Sequence, residues 1–266
     1  MIWLLALQLA LPPQPRAVSP QQYYEKAKDD LSNMQFAAAS EGVEAALHLD
    51  PNFVPALILK ARLALFAHRP DIAKSCLIKA VIINPSSEDA QFFLGMFYYL
   101  QNDFSLGIAP LERAHDLSPQ TALPLFYLAM TKEALGDGTV ALDLYDEAEA
   151  LSTAKTPQTA SILVAHGRLL FSLGRFDESI GKDDLAIAAD SQSRDAFYEK
   201  AKGLERIGKY QAAAAAGEKA LTLPELGTSD SQVHFLLGKI YLKLNQPDLA
   251  QSHLAKFHAA PQTTQR

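Results

Sequence analysis

Among segments whose residue types could do chemistry, "GLERIGKY" at 203–210 comes nearest to a known device. It matches the opening of a phosphate-binding loop, Gly-x-x-x-x-Gly-Lys, but Tyr210 stands where Mg²⁺ requires a Ser or Thr hydroxyl. Its surroundings read as a helix and the turn after it, with no strand before, so the amides there form no phosphate cradle. "GDG" at 136–138 reads in the same way as a turn between helices. The seven histidines are scattered. None makes a His-Glu-x-x-His pair or a clustered ligand set, and His253 and His258, five apart, point to different faces of a helix. His166, beside Gly167, reads as a satisfied core histidine, and Cys76 as a small half-buried side chain rather than a nucleophile. No Gly-x-Ser-x-Gly elbow or paired-carboxylate motif appears. The expectation is a protein that is not an enzyme, with no cofactor, no metal and no small-molecule substrate.

What positions these residues is an organisation that runs along the chain. The 266 residues are 48% hydrophobic, enough for a buried core or a stack of small ones. A formal net charge of −6 with 20% charged residues is too mild for a disordered acidic chain and has the wrong sign for nucleic-acid phosphates. One cysteine excludes an internal disulfide framework and any multi-cysteine metal site. The beginning differs: "MIWLLALQLAL" is an apolar run of signal-peptide length, shorter than the about 20 residues of a spanning helix, and "PPQPRAVSP" follows it. Residues 1–19 read as an export signal, or as a short anchor, a mis-chosen start or a packing segment. No Lys or Arg lies between Met1 and the run, and cleavage after Ala10 or Ala17 lacks a clean small-x-small pattern. An exported or envelope-associated location is expected, with cytoplasmic as the alternative.

After this leader the sequence repeats. Pro51, Pro85 and Pro119 are 34 apart, and so are Ala27, Ala61, Gly95 and Ala129. A second series, Ala46, Ala80, Ala114, Ala148, Ala186 and Ala220, slips once by four residues at the same place as the first. Insertions are thus placed near "STAKTPQT", 152–159, and, by three residues, near "PELGTSD", 224–230. Each period holds two amphipathic helical patterns around a short turn. Small residues at fixed places let helices approach closely, and one such hairpin cannot bury its apolar face without neighbours.

The chain resembles the tetratricopeptide repeat family, whose 34-residue unit has small residues at its eighth, twentieth and twenty-seventh places and proline at its thirty-second. From Pro20 the first unit supplies Tyr23, Ala27, Ala39, Ala46 and Pro51, and the second Leu57, Ala61, Ala73, Ala80 and Pro85. The third supplies Gly95, Tyr98, Gly107, Ala114 and Pro119. Units starting near 20, 54, 88, 122, 160, 194 and 231 fill residues 20–260, and 261–266 are a polar tail. The family's leading tryptophan is absent, Thr153 and Ser191 replace proline, and Pro224 falls one place early. Asp183 and Gly217 stand where a large apolar residue is usual, so looser packing is expected in units five and six. Phe257 replaces the usual alanine of unit seven.

The resemblance implies an all-α, right-handed superhelical solenoid of about seven helix-turn-helix repeats, whose first helices line a concave groove with their second, fifth, ninth, twelfth and thirteenth places. The fifth places are Tyr24, Ile58, Phe92, Phe126, Val164, Tyr198 and Phe235; the ninth are Lys28, Arg62, Met96, Met130, Arg168, Lys202 and Lys239. With Tyr99, they imply an aromatic row beside a mostly basic one. The expected function is a protein- or peptide-binding adaptor or assembly scaffold. Its expected partner is an acidic segment with hydrophobic anchors, centred on Phe92, Met96, Tyr99, Phe126 and Met130. The competing expectation is that the aromatics pack against the next repeat and the basic row is a solvated face. No ninth place is Asn, which disfavours the two-carboxylate clamp of chaperone-binding members. An alternative is a self-associating structural protein that stacks through its last, uncapped repeat as a homo-oligomer. No nucleic acid is expected, and a membrane only through the leader.

Overall fold

A computed structural model describes residues 18–225 and 227–259, so residues 1–17 of the leader and the polar tail after Ala259 lie outside the described residues. Fourteen helices and no strand occur among them, arranged as seven hairpins. These are α1 (Pro20–Ser32) with α2 (Phe36–Leu49), α3 (Val54–Phe66) with α4 (Pro70–Ile83), and α5 (Glu88–Leu100) with α6 (Phe104–Leu117). Next come α7 (Ala122–Ala134) with α8 (Gly138–Leu151) and α9 (Pro157–Ser172) with α10 (Phe176–Ala189). The last are α11 (Arg194–Arg206) with α12 (Tyr210–Leu221) and α13 (Asp230–Lys243) with α14 (Pro247–Ala259). None is long and apolar enough to cross a membrane.

Local chemistry sets the helix ends. Ser19 and Ser229 cap α1 and α13 reciprocally with Gln22 and Gln232, and prolines in the first turn of α1, α3, α4 and α9 supply a preset φ without a missing bond. Every hairpin turns on one residue with positive φ: Met34, His68, Asn102, Gly136, Gly174, Gly208 and Asn245. Each such turn closes with two backbone bonds, as in Met34 N–H to Leu31 C=O at 2.9 Å and Gln35 N–H to Asp30 C=O at 2.8 Å. This is the left-handed helix end that satisfies orphaned carbonyls. Between hairpins, Asp50, Asn84 and Asp190 each accept the backbone N–H two residues on, which turns the chain toward the next repeat.

The chain forms two compact units, divided between Leu94 and Gly95. In the first, α1 to α4 and the start of α5 pack through Ala27, Val43, Ala46, Ala56 and Leu59 and through Leu57, Ile58, Ala80 and Ala90. In the second, Ala129, Ala141, Tyr145 and Leu169 form one cluster and Ala201, Leu204, Val233, Leu237 and Ile240 another. The small places are where backbones approach: a Cβ on Gly95 would meet Leu111 Cγ at 2.5 Å.

The expected looseness of units five and six is not found. Leu237, fully buried, reaches across so that a Cβ on Gly217 would lie 2.8 Å from its Cδ2; the neighbour fills the space the glycine leaves. Asp183 is itself fully buried, 3.0 Å from where a Gly167 Cβ would stand, so its place is filled by a polar side chain. The 152–159 insertion lies within the second unit and is tied down. Thr156 caps α9, and Thr159 Oγ1 donates to the Ala154 carbonyl at 2.7 Å. The later insertion is strapped to α11. Arg194, 3% exposed, donates to the Leu223 carbonyl and to Asp230, and Asp195 accepts the Thr228 N–H at 2.8 Å.

Candidate functional site

In the first unit the residues expected to line a groove are largely engaged. Tyr24 meets Phe53 edge-on at 5.7 Å, and the Lys28 ammonium lies over the Tyr24 ring and pairs with Glu25 at 3.1 Å. Arg62 stacks over Phe93 at 5.2 Å. Ile58 and Phe92 are 7% and 6% exposed: they belong to the core and offer a partner no free surface, because successive first helices pack side by side at the fifth place. A groove of about 580 Å³ in this unit is not built from these places. It lies between α2, α3 and the start of α4, chiefly Phe36, Val43, Leu63, Phe66 and Ile72, with the Lys60–Glu44 pair at its edge.

In the second unit the expected residues converge. Tyr99 (α5), Met130 (α7) and Arg168 (α9) line a pocket of about 250 Å³ with Glu133, Ala134, Tyr145 and Ala165. Arg168 also borders a second pocket of about 380 Å³, shared with Asp195, Tyr198, Glu199, Lys202, Thr228 and Gln232. Met96 is half-buried on α5. Phe126 is half-buried against Tyr127 and Tyr145, whereas Phe235 is 46% exposed and meets Phe257 at 5.0 Å. The two pockets hold Tyr99, Met130, Arg168, Tyr198 and Lys202; Phe126, Phe235 and Lys239 line neither.

The basic row expected on this face is neutralised from within. Arg168 Nε donates to Glu199 at 2.8 Å and its Nη2 stands 3.8 Å from Asp195. Lys202 reaches the other oxygen of Glu199 at 2.6 Å, and Lys239 lies 3.7 Å from Glu205. Burial opposes the Arg168 charge, but Glu199 and Asp195 outweigh it and hold the guanidinium above its ordinary value. Lys202 also lies over the rings of Phe171 and Tyr198. The sequence reading passed over these acids, although Asp195 occupies a second place and Glu133 and Glu205 twelfth places. Reading all five groove places, not the fifth and ninth alone, finds three of them.

Asp183, fully buried and within electrostatic reach of Glu199, Lys202 and Arg168, has neither carboxyl oxygen hydrogen-bonded. Burial pushes its carboxyl up to about 8, the charge of Glu199 adding to this and those of Lys202 and Arg168 opposing it.

Two further polar clusters are structural. His166, 3% exposed, sits 2.6 Å from Glu149 and stacks on Tyr145 at 5.5 Å. Asp146, Glu149 and His166 bring ligand atoms within 4.8 Å of one another, but the Lys182 ammonium already bridges Glu149 at 2.6 Å and Asp146 at 3.6 Å, where a cation would sit. Burial raises the Glu149 carboxyl, yet the hydrogen bonds of His166 and Lys182 together hold it below the ordinary range. His234 and His253 approach Nδ1 to Nδ1 at 2.9 Å, and His253 Nε2 lies 3.2 Å from Glu218. Tyr241 donates to the same carboxylate, and burial with that bond pushes its hydroxyl up to about 12. The phosphate-loop look-alike is a helix end: Gly203 lies inside α11 under Ile180, and Gly208 is the left-handed turn residue. Burial raises the Cys76 thiol, which makes it a poor nucleophile.

Comparison with known proteins agrees with this architecture. A family model described as a tetratricopeptide repeat matches residues 58–122 and 127–194, half of the chain, and a second model of that description matches 231–257. The chain is 23% identical over 235 residues to anaphase-promoting complex subunit 3 of Schizosaccharomyces pombe, an alignment covering 88% of this chain and 29% of that protein. It is 25% identical over 202 residues to a DnaJ homolog subfamily C member 7 homolog of the same organism, covering 71% and 42%. The chain thus spans less than half the length of either relative. Among solved structures, the Cut9–Hcn1 hetero-tetramer of the APC/C superposes with a TM-score of 0.71 at 19% identity, over 90% of this chain and 45% of that one. A tetratricopeptide repeat protein of Parabacteroides merdae gives 0.66 at 16% identity, over 92% and 94%. These likenesses show the fold, an all-α superhelical repeat.

Proposed function

Because the chain belongs to the tetratricopeptide repeat family, we propose that it is a non-enzymatic adaptor or assembly scaffold holding a protein segment on its first-helix face. The observation that carries this is the meeting, in the second unit, of Tyr99, Met130, Arg168, Tyr198 and Lys202 at two adjoining pockets. Tyrosine and methionine give apolar contact of adaptable geometry, and the fixed ion pairs give orientation. The side chains are braced by rigid helices, so a segment docks with little rearrangement of the stack. Membership of multi-protein assemblies by the similar Cut9–Hcn1 complex and subunit 3 supports the scaffold reading.

The partner is a protein segment with hydrophobic anchors. A preference for acidic residues loses its basis, since Arg168, Lys202 and Lys239 already face carboxylates. Capture from native cell extract with the full chain, beside a Met130→Glu/Tyr198→Ala variant of unchanged melting, tests the assignment. A protein held by the parent and lost by the variant is the expected result; equal recovery overturns it. The apolar run in residues 1–19 supports export to the envelope. Mass spectrometry of the mature chain checks this: a new N-terminus after Ala10 or Ala17 is expected, and an intact Met1 on a cytoplasmic chain contradicts it.

A further inference from the structure

Resting on the groove reading, we propose that the pocket of Tyr99, Met130, Glu133 and Ala165 takes a basic side chain of the partner segment, its alkyl stem on the apolar wall and its charge on Glu133. Apart from the fully buried Asp183, the carboxylates described near this face are matched. Glu199 faces two cations, Glu205 faces Lys239, and Asp195 accepts two bonds from Thr228 as well as facing Arg168. Glu133 differs. Among the described residues no Lys, Arg or His lies within ion-pair distance of it, and its one hydrogen bond is to the Tyr145 hydroxyl, 2.9 Å from Oε2. Its other oxygen, Oε1, receives no donor.

The geometry around that oxygen suits a long cationic side chain. Glu133 is half-buried and shares its pocket of about 250 Å³ with Tyr99, Met130, Ala134 and Ala165, which together offer an apolar floor. Lys and Arg lay methylene stems on such surfaces while the charged head finds a carboxylate. Tyr99, whose ring meets that of Tyr127 at 5.7 Å in a T-shaped contact, lines the same pocket and adds an aromatic wall beside the carboxylate. Burial raises the Tyr99 hydroxyl and the Glu133 charge adds to it, which places the two groups in one electrostatic neighbourhood. Arg168, which also lines this pocket, does not cancel this attraction, because Glu199 and Asp195 pair with its guanidinium. The partner is thus a segment with an apolar residue beside a Lys or Arg, the opposite sign from that expected of the ninth places.

The test is selection of phage-displayed random dodecapeptides on the full chain, followed by titration calorimetry of the selected peptides against parent, Glu133→Gln, Arg168→Gln and Met130→Glu proteins. Gln keeps an acceptor for Tyr145, so Glu133→Gln alters charge with little change of packing, and its melting serves as a control. The expected result is enrichment of Lys or Arg next to an apolar residue, with roughly tenfold weaker binding to Glu133→Gln, the loss of one charge-assisted contact. Enrichment of Asp or Glu, weakened by Arg168→Gln and not by Glu133→Gln, overturns the inference and leaves the groove reading standing. Peptides indifferent to Met130→Glu, or no selected peptide, overturn both.

Discussion

Residues 18–94 and 95–259 share one repeat and differ in what they bury. Among the described residues the first unit buries Gln91 as its polar side chain, while the second buries Thr131, Thr159, His166, Ser179, Asp183, Arg194, Glu199, Thr228 and His253. The turns differ in the opposite sense. The first unit bends at Met34 and His68, with φ of 59° and 54°, where a Cβ carries a steric cost that is larger for Met than for His, whereas the second uses Asn102, Gly136, Gly174, Gly208 and Asn245. The small-residue places fix helix approach in both, so the comparison isolates the rest. In one unit stability is apolar with strained turns. In the other it is linked to protonation, and the same ionic network shapes the face that binds.

The largest effects should be common to both. Leu59→Ala in the first unit and Leu237→Ala in the second remove side chains that are 2% and 0% exposed. Each is expected to cost about 2–5 kcal/mol by chemical denaturation, with hydrogen exchange accelerated first in the mutated unit. A loss below about 1 kcal/mol in either breaks the claim of a common close-packed scaffold.

Asp183→Asn separates the units next. Its carboxyl is protonated in the fold up to pH of about 8, whereas the unfolded group ionises near pH 4. Stability from this site is intact below pH about 4 and falls as pH rises toward about 8, because the unfolded state releases a proton that the folded state keeps. Asn substitution should therefore stabilise the protein by on the order of 2–4 kcal/mol at pH 8 and change little at pH 4. Equal effects at both values contradict the buried-acid reading.

Turn substitutions give smaller shifts of opposite sign. His68→Gly should stabilise the first unit by about 0.5–1 kcal/mol, and Gly174→Ala, where nothing crowds the added methyl, should cost about 1 kcal/mol through backbone alone. Thermal melts of the two variants check both signs.

The smallest is an acid effect in the last hairpin. Burial lowers both His234 and His253, with mutual repulsion adding for His234, while Glu218 opposes it and Lys256 reinforces it. Their neutral forms are favoured in the fold, so this contribution is present above the unfolded value near 6.5 and is lost as pH falls below it. His253→Gln should flatten the loss of melting temperature between pH 6.5 and 5, the weakest of these effects. An unchanged slope contradicts it.

The period, its two slips and the helix hairpins were legible because each repeat writes its small residues at the same spacing. The stacking partners of Gly217 and Asp183 were not. Leu237 fills the first space from the next hairpin, and Gly167 makes room for the second from the preceding helix. The site was half legible: Tyr99, Met130, Arg168, Tyr198 and Lys202 do share a face, but Glu199 meets Arg168 from 31 positions away. Such a pair can be read only once two helices lie side by side. The His234–His253 contact escaped for the same reason, since the nineteen positions between them cross a whole turn.

The most direct test places a photo-crosslinking phenylalanine analogue at Met130, on the first-helix face, or at Leu106, an exposed residue of the second-helix α6. Irradiated in its native cells, the protein should form a discrete adduct with a partner from position 130 and none from position 106. Adducts from position 106 with none from position 130 would contradict the account.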